Sequence, residues 1–438
     1  FNNTGTVAAQ SGTLSLNGGG THSGDFTAAT GATLGFGGGT HDLNAGTDVT
    51  GAGTVQVSGG TLNVNAGTYA VTGATSVTGG TANFNSTAST GALSVSGGVL
   101  GGSGTLAVSG ALTWTGGRMS GTAGTTTVNG GTISGTAQKD LHAGYTLTNT
   151  GTLVWTGTGT FFIYDSGVFS NPGTFDVQND AVISHFNGPV VTINNSGTFK
   201  KTVGTGTTTV GTNVVFNNTG TVAAQSGTLD LQGGLTNNGT LKAGIGTTLT
   251  VSGSLSNFSG STLTGGTYNV LGTMRLPTTS AIVTNAATII LDGASANLYN
   301  ATSGTTDALA GFATNASTGS FTIQNGRNFT RSSAFENNGI AVIGTGSTLT
   351  LNASSGGDGH DGDFSGAGTL SLGGTHTFNA TSDVTVSNVT VTSGATTIDG
   401  TYNLAGSSTT LSGGNLTFNA AATLGNLGAL SVSSGTLT

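Results

Sequence analysis

The chain has 438 residues, of which 81 are glycine, three proline and none cysteine, with 5% charged residues and a formal net charge of −8. The missing cysteines exclude disulfides and thiolate metal sites. Eight Lys and Arg residues are too few for the basic stripe that phosphate neutralisation needs, which excludes nucleic acid as a partner. Glu336 is the one glutamate, and helix-face builders are scarce while Thr and Val abound, so the composition predicts almost no helix.

Low net charge, few prolines and recurrent Val, Leu, Ile and Phe argue against disorder. No apolar run approaches the ~18 residues of a membrane span. The first residue is Phe with no charged leader, so the chain reads as a segment of a longer repeat protein.

In chain order, the opening phrase FNNTGTVAAQSGTL (Phe1–Leu14) returns unchanged at Phe216–Leu229. After it come restarts of one local grammar, turn then short alternating strand, as in GTVQV from Gly53, GTLNV from Gly60 and GTLAV from Gly104. A looser phrase, apolar-x-Asn-x-Gly-Thr-apolar, begins at Leu147, Phe169, Ile193, Phe216 and Leu235, with starts 22, 24, 23 and 19 residues apart. That period is too short for a domain and suits one turn of a solenoid, whose strands pair with those of the next coil ~4.8 Å away. Asn-x-Gly is expected to supply the corner through a positive φ, and the Thr-apolar pair to open the next strand. Like charges repeated at one position would sit ~5 Å apart at a cost of about 1 kcal/mol each in water, so the repeated positions should be neutral and polar.

Longer resemblances link THSGDF at Thr21 to GHDGDF at Gly359, and GGTHDLNAGTDVT at Gly38 to GGTHTFNATSDVT at Gly373, which suggests copied blocks of coils. Residues 274–331 are less regular and hold Pro277, Arg275, Arg327 and Arg331, which predicts longer loops rather than a separate domain.

The NxGT corners, the Gly/Thr/Asn bias and phrases such as ATIILDGASANLYN and FTIQNGRNF resemble the large secreted β-solenoid proteins of bacteria, namely filamentous-haemagglutinin-like exoproteins and proteins with autotransporter-associated β-strand repeats. The resemblance implies a right-handed parallel β-helix, export to the cell surface, and roles in adhesion, matrix or filament formation.

Candidate chemistry is sparse. GGDGHDGDF, starting at Gly356, places Asp358, His360, Asp361 and Asp363 close together and begins like a calcium-binding β-roll repeat. Asp358, Asp361 and Asp363 are therefore calcium candidates, set against a solvated acidic loop because only one copy is present. Asp140, Asp165, Asp176, Asp180 and Asp230 are scattered, and only Asp176 and Asp180 could share a groove; exposed loop acids are the plainer reading. WTGTGTFFIYDSGVF (Trp155–Phe169) reads as core rather than as a sugar-stacking platform. His41 and His376 hold equivalent GTH positions too distant in sequence to share a metal. A Thr column from Thr152 to Thr240 raises ice binding, which the uneven coil lengths disfavour.

The expectation is one continuous all-β segment over 1–438, a right-handed parallel β-helix of about 20 coils of roughly 19–24 residues forming a rod of roughly 95 Å. The expected role is structural: a rod-like segment of an extracellular bacterial adhesin, fibre or matrix protein without catalysis or cofactor. Expected partners are further copies, in filaments or end-to-end stacks, and host-surface or matrix glycans. The alternative is a polysaccharide-binding or polysaccharide-degrading β-helix enzyme.

Overall fold

The computed structural model describes residues 1–438 apart from Thr279 and residues 354–356, and divides the chain into two units, Phe1–Thr236 and Asn237–Thr438. Both are built from parallel strands wound as a β-solenoid, with about 20 turns in all and no helix among the described residues. None of the described residues forms a helix long and apolar enough to cross a membrane.

In the first unit a coil carries three short strands, shown by Thr105–Val108, Leu112–Trp114 and Gly117–Ser120. They pair in parallel with Thr125–Val128, Gly131–Ile133 and Lys139–His142 of the next coil. Three faces, here the first, second and third in that order, close around one core, the first two belonging to one continuous sheet and the third to another. Strand alternation sends every second side chain inward, as in Thr54–Val57 and Thr61–Val64. On the second face Leu153, Phe175, Phe199 and Val222 follow one another in register, all fully buried. Phe169, Phe175, Phe199 and Phe216 form a chain of rings with centroids 5.0–5.2 Å apart. Each such side chain contributes about 1.5–3 kcal/mol of burial, which a short strand could not secure without its neighbours.

The corner between the first and second faces explains the Asn-x-Gly-Thr phrase differently from the sequence expectation. Asn149, Asn171, Asn195 and Asn218 are buried, and the Nδ2 of each of the first three donates to Oδ1 of the next at 2.8 Å. The same Nδ2 atoms also donate to the carbonyls of Thr174, Thr198 and Thr221. Asparagine is chosen because its amide is donor and acceptor at once, so one coil satisfies the next. Glycine is required here by close approach, not by a positive φ: a Cβ on Gly197 would lie 2.0 Å from the Gly173 carbonyl oxygen.

The second unit repeats the pattern, with Asn285 donating to Asn315 at 2.9 Å and Asn315 to Asn337 at 2.7 Å. Its less regular stretch keeps the register, since Thr288–Asp292 pairs with Ser320–Gln324. The extra length leaves the coil between the strands Asn297–Asn300 and Thr314–Asn315, and is tied back by the antiparallel Tyr299–Asp307 bridge. Thr279, within that stretch, lies outside the described residues.

Candidate functional site

Outward positions on the faces and their ends are mostly Thr, Ser, Asn and Gly, joined in neutral ladders such as Asn85 Nδ2 to Asn65 Oδ1 at 2.9 Å and Asn65 Nδ2 to Asn44 Oδ1 at 3.1 Å. The third face of the first unit breaks this rule over four coils. Its strands Gly117–Ser120, Lys139–His142 and Phe161–Ile163 are paired so that Arg118 faces Asp140 and Asp140 faces Phe162, while Ser120 faces His142. Two outward rows result, one running Arg118, Asp140, Phe162 and the other beginning Ser120, His142.

In the first row, Arg118 Nε and Nη2 donate to Asp140 Oδ2 at 3.4 and 3.3 Å, and the Tyr164 hydroxyl donates to the same oxygen at 3.3 Å. Gln138 Nε2 donates to Asp140 Oδ1. Burial, with the Asp140 carboxylate beside it, raises the Tyr164 phenol above its ordinary value, so the hydroxyl stays a donor. The Arg118 guanidinium lies 6.0 Å from the Tyr164 ring centre. Phe186, 73% exposed, stands edge-on to Phe162 at 6.1 Å. Arg118, Gln138, Phe162, Tyr164 and Phe186 line a cleft of about 270 Å³, which sets aromatic rings beside hydrogen-bonding groups.

In the second row, Ser120 Oγ lies 2.9 Å from His142 Nδ1, and His142 Nε2 lies 2.8 Å from Asp165 Oδ2. The His142 ring centre is 4.4 Å from that of Tyr164. Asp165 sits at the turn into the next coil with a φ of 48°. Ala123, Ala143 and Asn213 adopt the same left-handed conformation at that corner in other coils, so the fold demands it and an aspartate tolerates it better than an alanine.

These groupings were hidden in a linear reading. Asp140 and Asp165 looked scattered, whereas Arg118 and Asp140, Ser120 and His142 are each 22 residues apart, and His142 and Asp165 are 23 apart. Those are coil lengths, so comparing outward residues one period apart would have assembled the cluster. Trp155, Phe161, Ile163 and Phe169 are core as expected, while Phe162 alternates outward. Asp176 and Asp180 flank one corner, but each is engaged separately. Asp176 accepts from Thr202 and Gln178, and Asp180 accepts from the Lys201 ammonium, whose presence lowers its pKa. Lys201, fully buried, also donates to the carbonyls of Asn179 and Val203 at 2.7 and 2.9 Å. Asp230 accepts from Gln232.

The calcium candidates diverge. Asp358 is 3% exposed and points to the core, so it is not part of a solvated loop, and burial raises its pKa. Asp361 is exposed and accepts from Asn379 Nδ2, and Asp363 accepts from the Asp383 N–H at 3.2 Å. Gly356, which opens that phrase, lies outside the described residues. Among the described residues no three His, Asp or Glu side chains are grouped to hold a metal.

His360 and its counterpart His22 turn out to continue the corner logic of the asparagines. The Asn3 N–H donates to His22 Nδ1 at 3.1 Å, His22 Nε2 meets His41 Nδ1 at 3.0 Å, and His41 Nε2 meets the Gly38 carbonyl at 3.2 Å. The second unit repeats this through Asn337, His360, His376 and Gly373 at 3.2, 3.3 and 3.0 Å. His41 and His376 therefore each pair with a histidine one coil away. A backbone N–H on Nδ1 leaves the first ring only its neutral form, and burial lowers the pKa of His22 to about 4 and of His360 to about 3, with the partner histidine adding to both shifts.

The expectation that charged positions never stack has exceptions beside these histidines. The Asp48 N–H donates to Asp25 Oδ1 at 3.3 Å, as Asp383 does to Asp363, so two aspartates follow one another. At these water-facing positions the repulsion is about 1 kcal/mol, and a charge-assisted bond to a backbone N–H offsets it.

No protein-family model, curated protein or solved structure matches this chain, so the fold and the third-face cluster are what a functional reading stands on.

Proposed function

We propose that the chain is a structural segment of an extracellular bacterial surface protein, adhesive rather than metabolic, that displays a carbohydrate-contact patch on the third face of its first unit. The observation carrying this reading is the row Arg118, Asp140, Phe162 with Phe186 and Tyr164 around it. Sugars are bound by aromatic faces against their C–H surfaces and by planar charged or amide groups on their hydroxyls, and the cleft offers both. Within the first unit, parallel pairing with the coils on either side holds the strands of the patch in register. Export to the cell surface is supported by the repeat style and by the lack of cysteine.

The test is calorimetric titration of the protein with a panel of bacterial and host oligosaccharides, beside the Phe162→Ala, Phe186→Ala double variant. A ligand should bind the parent and lose roughly tenfold or more in affinity to the double variant, while the melting temperature holds because both rings face outward. Binding that survives the double substitution would remove the patch from the reading. Protease shaving of intact source cells checks localisation, with release of peptides from this chain as the expected result.

A further inference from the structure

We propose that Ser120, His142 and Asp165 form a hydrolytic site for esters of small carboxylic acids carried on a carbohydrate. The inference goes beyond the adhesive reading and does not depend on it.

The geometry supplies the parts in order. Asp165 Oδ2, 2.8 Å from His142 Nε2, holds the ring proton on that nitrogen. Nδ1 is then a lone pair, and it points at Ser120 Oγ 2.9 Å away. A nucleophile within hydrogen-bond reach of a base that is itself oriented by a third group is the recurring arrangement of nucleophilic catalysis, recognised by roles rather than by chain order. Either imidazole nitrogen can act as base when the other is held protonated. All three side chains are partly exposed, so a substrate can reach them.

The other paired histidines sharpen the contrast. His22, His41, His360 and His376 are buried, and their relays run between a backbone N–H and a backbone carbonyl. Among the described residues, His142 is the histidine that joins a hydroxyl to a carboxylate. Structural needs at outward positions are met at the end of this face, in earlier coils, by the neutral asparagine ladder of Asn44, Asn65 and Asn85, which calls for no ionisable group. Arg118 lies two residues before Ser120 on the same outward side of the strand, ~7 Å along it. Its Nε and Nη2 are spent on Asp140, while Nη1 has no hydrogen bond among the described residues and is free to meet the carbonyl oxygen on which negative charge builds.

In the first step Ser120 Oγ attacks the ester carbonyl carbon as its proton passes to His142 Nδ1, giving a tetrahedral oxyanion. Collapse breaks the bond to the sugar oxygen, which leaves as the alcohol with the proton from Nδ1, and the acyl group stays on Ser120. Water then attacks the acyl carbon, gives a proton to Nδ1, and Ser120 leaves with that proton as the carboxylic acid is released. The sum is ester plus water to acid plus alcohol, with no further reagent.

The experiment uses the whole chain with p-nitrophenyl acetate and an acetylated xylan as substrates, and a fluorophosphonate as covalent probe read by peptide mass spectrometry. The expected result is turnover of at least one ester, an adduct on Ser120, and a loss of about 100-fold or more in kcat/KM for Ser120→Ala and His142→Gln. Asp165→Asn should lower kcat with little change in KM. Circular dichroism and melting of each variant confirm the fold. No turnover and no Ser120 adduct would overturn the proposal, as would turnover that persists in Ser120→Ala. Oligosaccharide binding in Ser120→Ala reports separately on the cleft, so failure of one reading leaves the other to be judged by its own result.

Discussion

The two copies of FNNTGTVAAQSGTL are identical in sequence and different in place. In the first, Thr6–Ala9 and Thr13–Leu16 lie on the first and second faces; in the second, Thr221–Ala224 and Thr228–Leu231 lie on the second and third. Phe1 is 60% exposed and Leu14 36%, whereas Phe216 is 1% exposed and Leu229 fully buried. Asn3 is followed across the coil by His22, while Asn218 is preceded by Asn195. The phrase therefore encodes strand, corner and strand, and the neighbouring coils decide which face it joins and how deeply it is buried.

The sharpest way to break that comparison is to truncate the same ring twice. Phe216→Ala should cost about 3–5 kcal/mol, since it empties a site between Phe199 and the core, whereas Phe1→Ala should change stability by no more than about 0.5 kcal/mol. Denaturant unfolding of the two variants checks this; equal costs would show that burial is not set by the neighbours.

Asparagine ladders give the next effect. Asn195→Ala removes the acceptor of Asn171 and a donor to Asn218, and should cost about 1–3 kcal/mol by leaving buried amide groups short of partners. The exposed Asn2 accepts from the Thr21 N–H through Oδ1, and Asn2→Ala should be nearly neutral.

Acid separates the two corners. His22 is neutral when folded and regains its ordinary value of 6.5 when unfolded, so the unfolded chain takes up the proton first. Stability at this corner is full above 6.5, falls as the pH drops toward about 4, and is level below that. The slope is at most about 1.4 kcal/mol per pH unit for each ring. Hydrogen exchange of residues 20–43 should quicken through this window while that of residues 195–224 holds, and His22→Asn should flatten the response. The smallest effect is expected from calcium. Its addition or chelation should leave the melting temperature unchanged, because Asp358 faces inward while Asp361 and Asp363 already accept hydrogen bonds.

Much of the fold was legible because the corner phrase recurs at coil length, and periodic Phe, Leu and Val told which side faces in. The histidine corners were not, because reading His22-Ser-Gly-Asp25 as a variant of Asn-x-Gly-Thr requires knowing that an imidazole can take over one ladder bond from an amide. The reason for the glycine of the Asn-x-Gly corner also differs from the expectation: tight contact between coils, visible only in three dimensions, constrains Gly197. The cluster around His142 escaped because its members come from separate phrases that share nothing but their offset.

That offset makes the register an address system. In most folds, bringing a hydroxyl, an imidazole and a carboxylate together requires a backbone bent to suit them. Here any three outward codons one coil length apart, such as those for Ser120, His142 and Asp165, are already neighbours before selection acts. New sites can thus arise by single substitutions along a row, and be copied with their block of coils, without the scaffold having to be invented again.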